Sequence, residues 1–169
     1  MNNLNLKNNM EEEKYDSIHD TLKHKKRVGE LMYKFCEKLI QRAISHDNSK
    51  LEQPERQYFD LYTPMLKKLT YGTPEYKESL KQLQVALDHH YKVNSHHPEF
   101  YENGIDGMDL FDVFEMFVDW KAATERHEDG NIGKSLEINK DRFKMSDQLY
   151  NIFKNTAVKM GWIEENEKQ

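Results

Sequence analysis

The residues best suited to chemistry are the adjacent pair His46-Asp47, inside the run His-Asp-Asn-Ser-Lys that closes with Ser49 and Lys50. An imidazole and a carboxylate on neighbouring residues offer a metal two ligands of different shape. Eight histidines occur in 169 residues, and four of them, His89, His90, His96 and His97, crowd into HHYKVNSHH. Clustering of this kind suits a bound metal or a shuttled proton. Asp119 lies deepest in the most apolar run of the chain, and there an ionised carboxylate needs a cation or a donor, as do Asp112 and Glu115 nearby. The expected metal ligands are therefore His46, Asp47, His90, one or both of His96 and His97, and Asp119, with His24 joining them if the chain folds back toward His46 and the cluster closing without it if not. If only one of His96 and His97 binds, the other orients a neighbour. The plain alternative for the pair is a helix-end histidine followed by an Asx-turn at Asp47, which explains the pair but not the cluster.

The chemistry expected of such a set is phosphoester hydrolysis. One or two divalent ions (Mn, Fe, Co, Zn or Mg) would lower the pKa of bound water to about 7 and polarise a phosphoryl oxygen. Asp47 can bridge two ions, because a carboxylate has two oxygens. Asp47 and Lys50 are the catalytic candidates; Lys50, with Lys121 and Arg126 beside Asp119, would hold a small anionic phosphoester, a nucleotide above all. The basic run Lys23 to Arg27 around His24 would draw the anion in.

Helices must position these residues. From Thr21 to Ile44, Leu22, Val28, Leu31, Met32, Phe35, Leu39 and Ala43 recur mostly at spacings of three and four, predicting a helix packed on one face with His24, His46 and Asp47 toward the core and Cys36 within it. Pro54-Glu55 opens a second helix that Pro64 breaks or kinks. Thr73-Pro74-Glu75 opens a third, running through Tyr91, whose stripe Tyr76, Leu80, Leu83, Leu87 extends by three residues onto His90. Pro98, Gly104 and Gly107 mark a loop. Asp109 to Arg126 is apolar nearly all round and predicts a helix buried on most faces; Ser146 caps a last helix. No period-two strand is evident. The predicted class is all-α, a single compact domain of five or six helices over 15–162, with loose ends at 1–14 and 163–169. Along the first helix, His24 and His46 would stand about 33 Å apart, so joining both to one ion requires a bend between Tyr33 and Gln41.

Composition narrows the function classes. A net charge of -5 with 33% charged residues and dispersed lysines argues against binding duplex nucleic acid. The single cysteine excludes a disulfide framework, and no stretch reaches the roughly 20 apolar residues of a membrane span, so a cytoplasmic protein without membrane contact is expected. The aromatics in QYFDLYTPMLKKLTYG suit a homodimer surface or a pocket lid. A non-catalytic helical binding module is the competing class.

His24, then His46-Asp47, then Asp119 resemble the H, HD, D signature of the HD-domain metal-dependent phosphohydrolases across roughly residues 18–127. The resemblance implies an all-helical fold and a metal site on those residues. His90 and His96 or His97 resemble the extra ligands of members with two ions, which include phosphodiesterases and a small group of di-iron oxygenases. HDNSK is similar to the HDxGK element of one cyclic-dinucleotide phosphodiesterase branch, with Ser49 in place of Gly, whereas HHPEFYENGIDG departs from that branch's HHExxDG. The runs HDNSK, HHYKVNSHHPE and EMFVDW are most similar to an uncharacterised HD-like bacterial and phage family with HDxSK, HHYxxNxHHPE and EMxxDW, which implies a fold and a metal site but no substrate.

Overall fold

The computed structural model describes residues 15–66, 68, 74–126 and 130–164; the expectations for 1–14, for 165–169 and for the Thr73 cap fall outside them. Among the described residues there are six α-helices: α1 (Ser17–Ser45), α2 (Glu55–Leu66), α3 (Pro74–Val93), α4 (Leu110–Thr124), α5 (Ile132–Phe143) and α6 (Asp147–Lys159). Short 3-10 turns occupy Asn48–Leu51, Pro98–Phe100 and Gly104–Gly107, and no strand occurs among the described residues. The all-α class is as predicted. Among the described residues no helix is long and apolar enough to cross a membrane. The contacts divide the chain between Lys38 and Leu39 into two units.

In the first unit, the described residues are the start of α1 and the two residues before it. The helix is unbroken from Ser17 to Ser45, so the bend proposed between Tyr33 and Gln41 does not exist. No Pro interrupts the run, and its Leu, Lys, Glu and Arg content favours continued helix. The packing expected of the stripe is also not found. α1 has no buried residue; Leu22 is 58% and Met32 62% exposed, and Cys36 is exposed rather than in a core. Periodicity located an apolar face without specifying what covers it.

The second unit holds the core, built from Met116 and Phe117 of α4, Ile132 and Leu136 of α5, Met145, Phe153 and Ala157 of α6, and Ile163. Phe117 and Phe153 stack with centroids 4.7 Å apart. Burial of each such large side chain contributes roughly 1.5 to 3 kcal/mol. Ile163 therefore belongs to the folded body, one residue beyond the predicted limit at 162. Asp109 caps α4 with a capping box, its side chain accepting from Phe111 and Asp112 N–H while Asp112 accepts from its own; Asn131 and Ser146 cap α5 and α6. The all-round burial predicted for α4 is corrected: Met116 and Phe117 are buried, but Leu110, Phe114 and Val118 are exposed along another face. α2 continues past Pro64 to Leu66, and α5 is a helix that the apolar pattern did not reveal.

Candidate metal centre

Three elements deliver the site. α1 ends at Ser45, and His46 and Asp47 follow its last turn. Asp47 adopts φ 56°, ψ 16°, the left-handed region that Asp tolerates better than most side chains, and it opens the 3-10 turn carrying Ser49 and Lys50. From α3, His90 is buried at the end of the stripe that includes buried Leu83 and Ala86, and the turn beyond the helix brings buried His96 and half-buried His97. From α4, Glu115 and Asp119 lie one helical turn apart on one face.

Three of the imidazoles share one orientation. His46 Nδ1 lies 2.7 Å and His96 Nδ1 3.1 Å from Glu115 Oε1, and His90 Nδ1 lies 2.9 Å from Glu55 Oε2. With each Nδ1 engaged by a carboxylate, the Nε2 atoms turn to the other side. There His90 Nε2 lies 3.2 Å and His96 Nε2 3.5 Å from Asp47 Oδ1, while His90 and His97 bring their Nε2 atoms to 2.9 Å. His46 Nε2 stands 3.4 Å from Asp47 Oδ2 and 3.6 Å from Asp119 Oδ1. Ligands held about 2.1 Å from a tetrahedral ion are about 3.4 Å apart, so these separations suit a shared cation.

Two groups of ligand atoms, each within 4.8 Å of one another, meet at Asp47: Asp47 with His90, His96 and His97, and His46 with Asp47 and Asp119. A third, His46, His96 and Glu115, gathers the Nδ1 side. Asp47 Oδ1 and His96 Nε2 are buried and hydrogen-bonded to nothing. An unpaired buried oxygen facing an unpaired imidazole nitrogen is costly without a cation between them. That observation fits a metal to the residues present.

The electrostatics carry the same demand. Burial raises the Asp47 carboxyl, yet His90, His96 and the Lys50 ammonium outweigh it and hold it well below the usual carboxylate range. Glu115 is likewise raised by burial and lowered further by His46 and His96, and Asp119 is lowered by His46 against its burial. His46 is raised to about 10 by Asp119 and Glu115. Burial lowers His96, but Asp47 and Glu115 prevail and its pKa is raised. His97 is lowered to about 3 by burial and by neighbouring His96 and His90, leaving a neutral imidazole. Protons on the imidazoles thus supply positive charge that a divalent ion would replace.

A supporting layer surrounds these groups. Glu55, fully buried at the start of α2, takes His89 Nδ1 at 2.7 Å on Oε1, and on Oε2 it accepts from Ser49 Oγ at 3.0 Å beside His90. Asn94 donates to Ser49 Oγ at 2.8 Å. The Arg42 guanidinium donates from Nε to Glu115 Oε2 and from Nη2 to Asp112 Oδ1. Asp112 also accepts from Ser95 and Tyr101.

Of the sequence candidates, His46, Asp47, His90, His96, His97 and Asp119 come together, and Lys50 joins them with Nζ 2.5 Å from Asp47 Oδ2. His24 is in none of these groups: α1 runs unbroken to Ser45, without the bend that joining it to His46 requires, and the Lys23 to Arg27 run lies with His24 in the first unit. Lys121 is also excluded. It lies 200° around α4 from Asp119, pairs with Glu125 and sits over the Trp162 ring, while Arg126 is exposed beyond the end of the helix. Glu55 and Glu115 were missed as orienting groups. Glu115 had a sequence signal, its place four residues before Asp119; Glu55 had none.

None of the curated proteins and none of the solved structures matches this chain. The model of DUF5662, a family of unknown function, matches residues 13–159, most of the sequence, and the chain belongs to that family.

Proposed function

We propose that the protein is a metal-dependent phosphohydrolase that splits a small phosphoester, with a nucleotide the foremost class. The observation that carries this reading is the pair of buried, unpartnered atoms, Asp47 Oδ1 and His96 Nε2, among imidazoles whose opposite nitrogens are engaged by Glu115 and Glu55. His46, Asp47 and Asp119 would hold one divalent ion, and Asp47, His90, His96 and His97 a second. Ions in that set supply a water acidified to a pKa of about 7 and a polarised phosphoryl oxygen.

The chain's own residues do the rest. Asp47 serves both groups through its two oxygens. Glu115 and Glu55 fix which nitrogen His46, His96 and His90 present. Lys50, beside Asp47, sets an ammonium where a phosphate oxygen approaches. In the reaction the water oxygen forms a new bond to phosphorus, the ester P–O bond breaks, and the water proton passes to the departing oxygen. The order of HD, the histidines and Asp119 supports placing this chemistry with the HD-domain phosphohydrolases, although the first histidine of that signature has no counterpart here.

The test is phosphate release from a panel of phosphomonoesters and cyclic phosphodiesters after loading with Mn, Fe, Co, Zn or Mg. Turnover of one of them that is lost in Asp47→Ala is the expected result; no turnover by fully metal-loaded protein overturns it. Four imidazoles in one cluster also suit iron, and a di-iron oxygenase is the second reading. An absorption band that changes when protein purified anaerobically meets oxygen would favour it.

A further inference from the structure

Three cavities border the cluster, and they meet it differently. An apolar cleft of about 210 Å³ between Leu39 and Phe114 reaches His46 and Asp119, which belong to one ligand group. A polar cavity of about 480 Å³ touches His46 and His96 together with Glu115, on the Nδ1 side that the carboxylate already occupies. The third, of about 700 Å³, is lined by both His97 and Asp119, one from each of the two groups that share Asp47. A phosphoryl group in contact with both ion positions would have this cavity beside it. Its size falls within the roughly 300–1,000 Å³ of small-molecule sites.

The walls define what enters. Tyr91, Trp120 and Phe143 present rings, and Trp120 stacks on Phe143 with an interplanar angle of 4°. Asn139 donates to Ser135 Oγ at 3.3 Å, leaving the rest of its amide to pair with a polar edge. The one cation lining the cavity among the described residues is Arg142, and its guanidinium is 2.8 Å from Glu99 Oε1. With Arg142 committed to Glu99, an extended chain of phosphates would meet no uncommitted cation on this wall.

Resting on the phosphohydrolase reading above, we propose that this cavity binds the body of the substrate, an uncharged ring system carried on a single phosphoryl group. Nucleoside monophosphates and aryl phosphates are of this kind; pyrophosphate and nucleoside triphosphates are not.

Calorimetric titration of zinc-loaded protein tests it, with adenosine 5′-monophosphate, 1-naphthyl phosphate, glycerol 1-phosphate, inorganic phosphate and pyrophosphate as probes. The ring-bearing monoesters should bind tenfold or more tighter than glycerol 1-phosphate and pyrophosphate. Trp120→Ala should remove that advantage and leave inorganic phosphate binding as it was. Because Trp120 packs on the core, Ile138→Glu is the second variant: this cavity-wall residue is 68% exposed, so the fold tolerates a charge there while the ring body does not. Equal affinity for ring-bearing and ringless monoesters, tightest binding of pyrophosphate, or an unchanged advantage in Ile138→Glu would each overturn the proposal while leaving the metal reading intact. Failure of zinc to bind would overturn both.

Discussion

Asp47 shows how one residue's conformation serves a site. Its left-handed backbone carries a carboxylate back toward residues from α3 and α4, with Lys50 beside one oxygen and three imidazole nitrogens within about 3.5 Å of the pair. The imidazoles are usable because their other nitrogens are engaged. Glu115→Ala, which releases His46 and His96, and Glu55→Ala, which releases His90, should each weaken metal binding by about 10- to 100-fold in competition with a chromophoric chelator. Unchanged affinity would remove the orienting role. Asp112 provides the pH test away from the ligands. Burial raises its carboxyl, but Ser95, Tyr101, the Asp109 N–H and Arg42 prevail, so its pKa is lowered on folding. Its contribution is therefore present above the ordinary carboxylate value and lost as pH falls through the lower folded one. Asp112→Asn should cost about 1 to 3 kcal/mol near neutral pH. Urea titrations should show the difference from wild type shrinking below about pH 4.

At the scale of elements, α4 is the beam that carries Glu115 and Asp119, and its start depends on Asp109. Asp109→Ala removes the side-chain half of the capping box, leaving the backbone N–H at 109 to donate to Asp112, and should cost about 1 kcal/mol, lowering the melting temperature by about 3 °C. α1 supplies the complementary case. Since the helix is unbroken, His24→Ala should leave metal content unchanged, as elemental analysis would show; loss of an ion would mean that α1 bends after all. Much at this scale was legible beforehand. The Ser146 cap, the stripe ending on His90 and the all-α class follow from local rules that operate within a few residues. The fate of the α1 stripe was not legible, because a periodic apolar face says nothing of its cover. Glu55 escaped for a related reason: it meets His90 across 35 residues of sequence, and nothing local to Pro54-Glu55 distinguishes an orienting carboxylate from a helix-start one.

For the molecule as a whole, the second unit divides its interior into two regimes. Around Phe117, Leu136 and Phe153 the packing is apolar, while buried Glu55, His90, His96 and Asp112 form a polar interior that the sequence announced through its clustered histidines and the carboxylates of its most apolar run. A small domain maintains buried ionisable groups when they are paired or bound to something, and Asp47 Oδ1 and His96 Nε2 are neither. The most direct test is elemental analysis of the purified protein and its Asp47→Ala variant, each circular-dichroism-matched to confirm the fold. One or two equivalents of a transition metal in the wild type, lost in Asp47→Ala, is the predicted result; wild-type protein that takes up no metal, or a variant that retains the full complement, would contradict the metal centre.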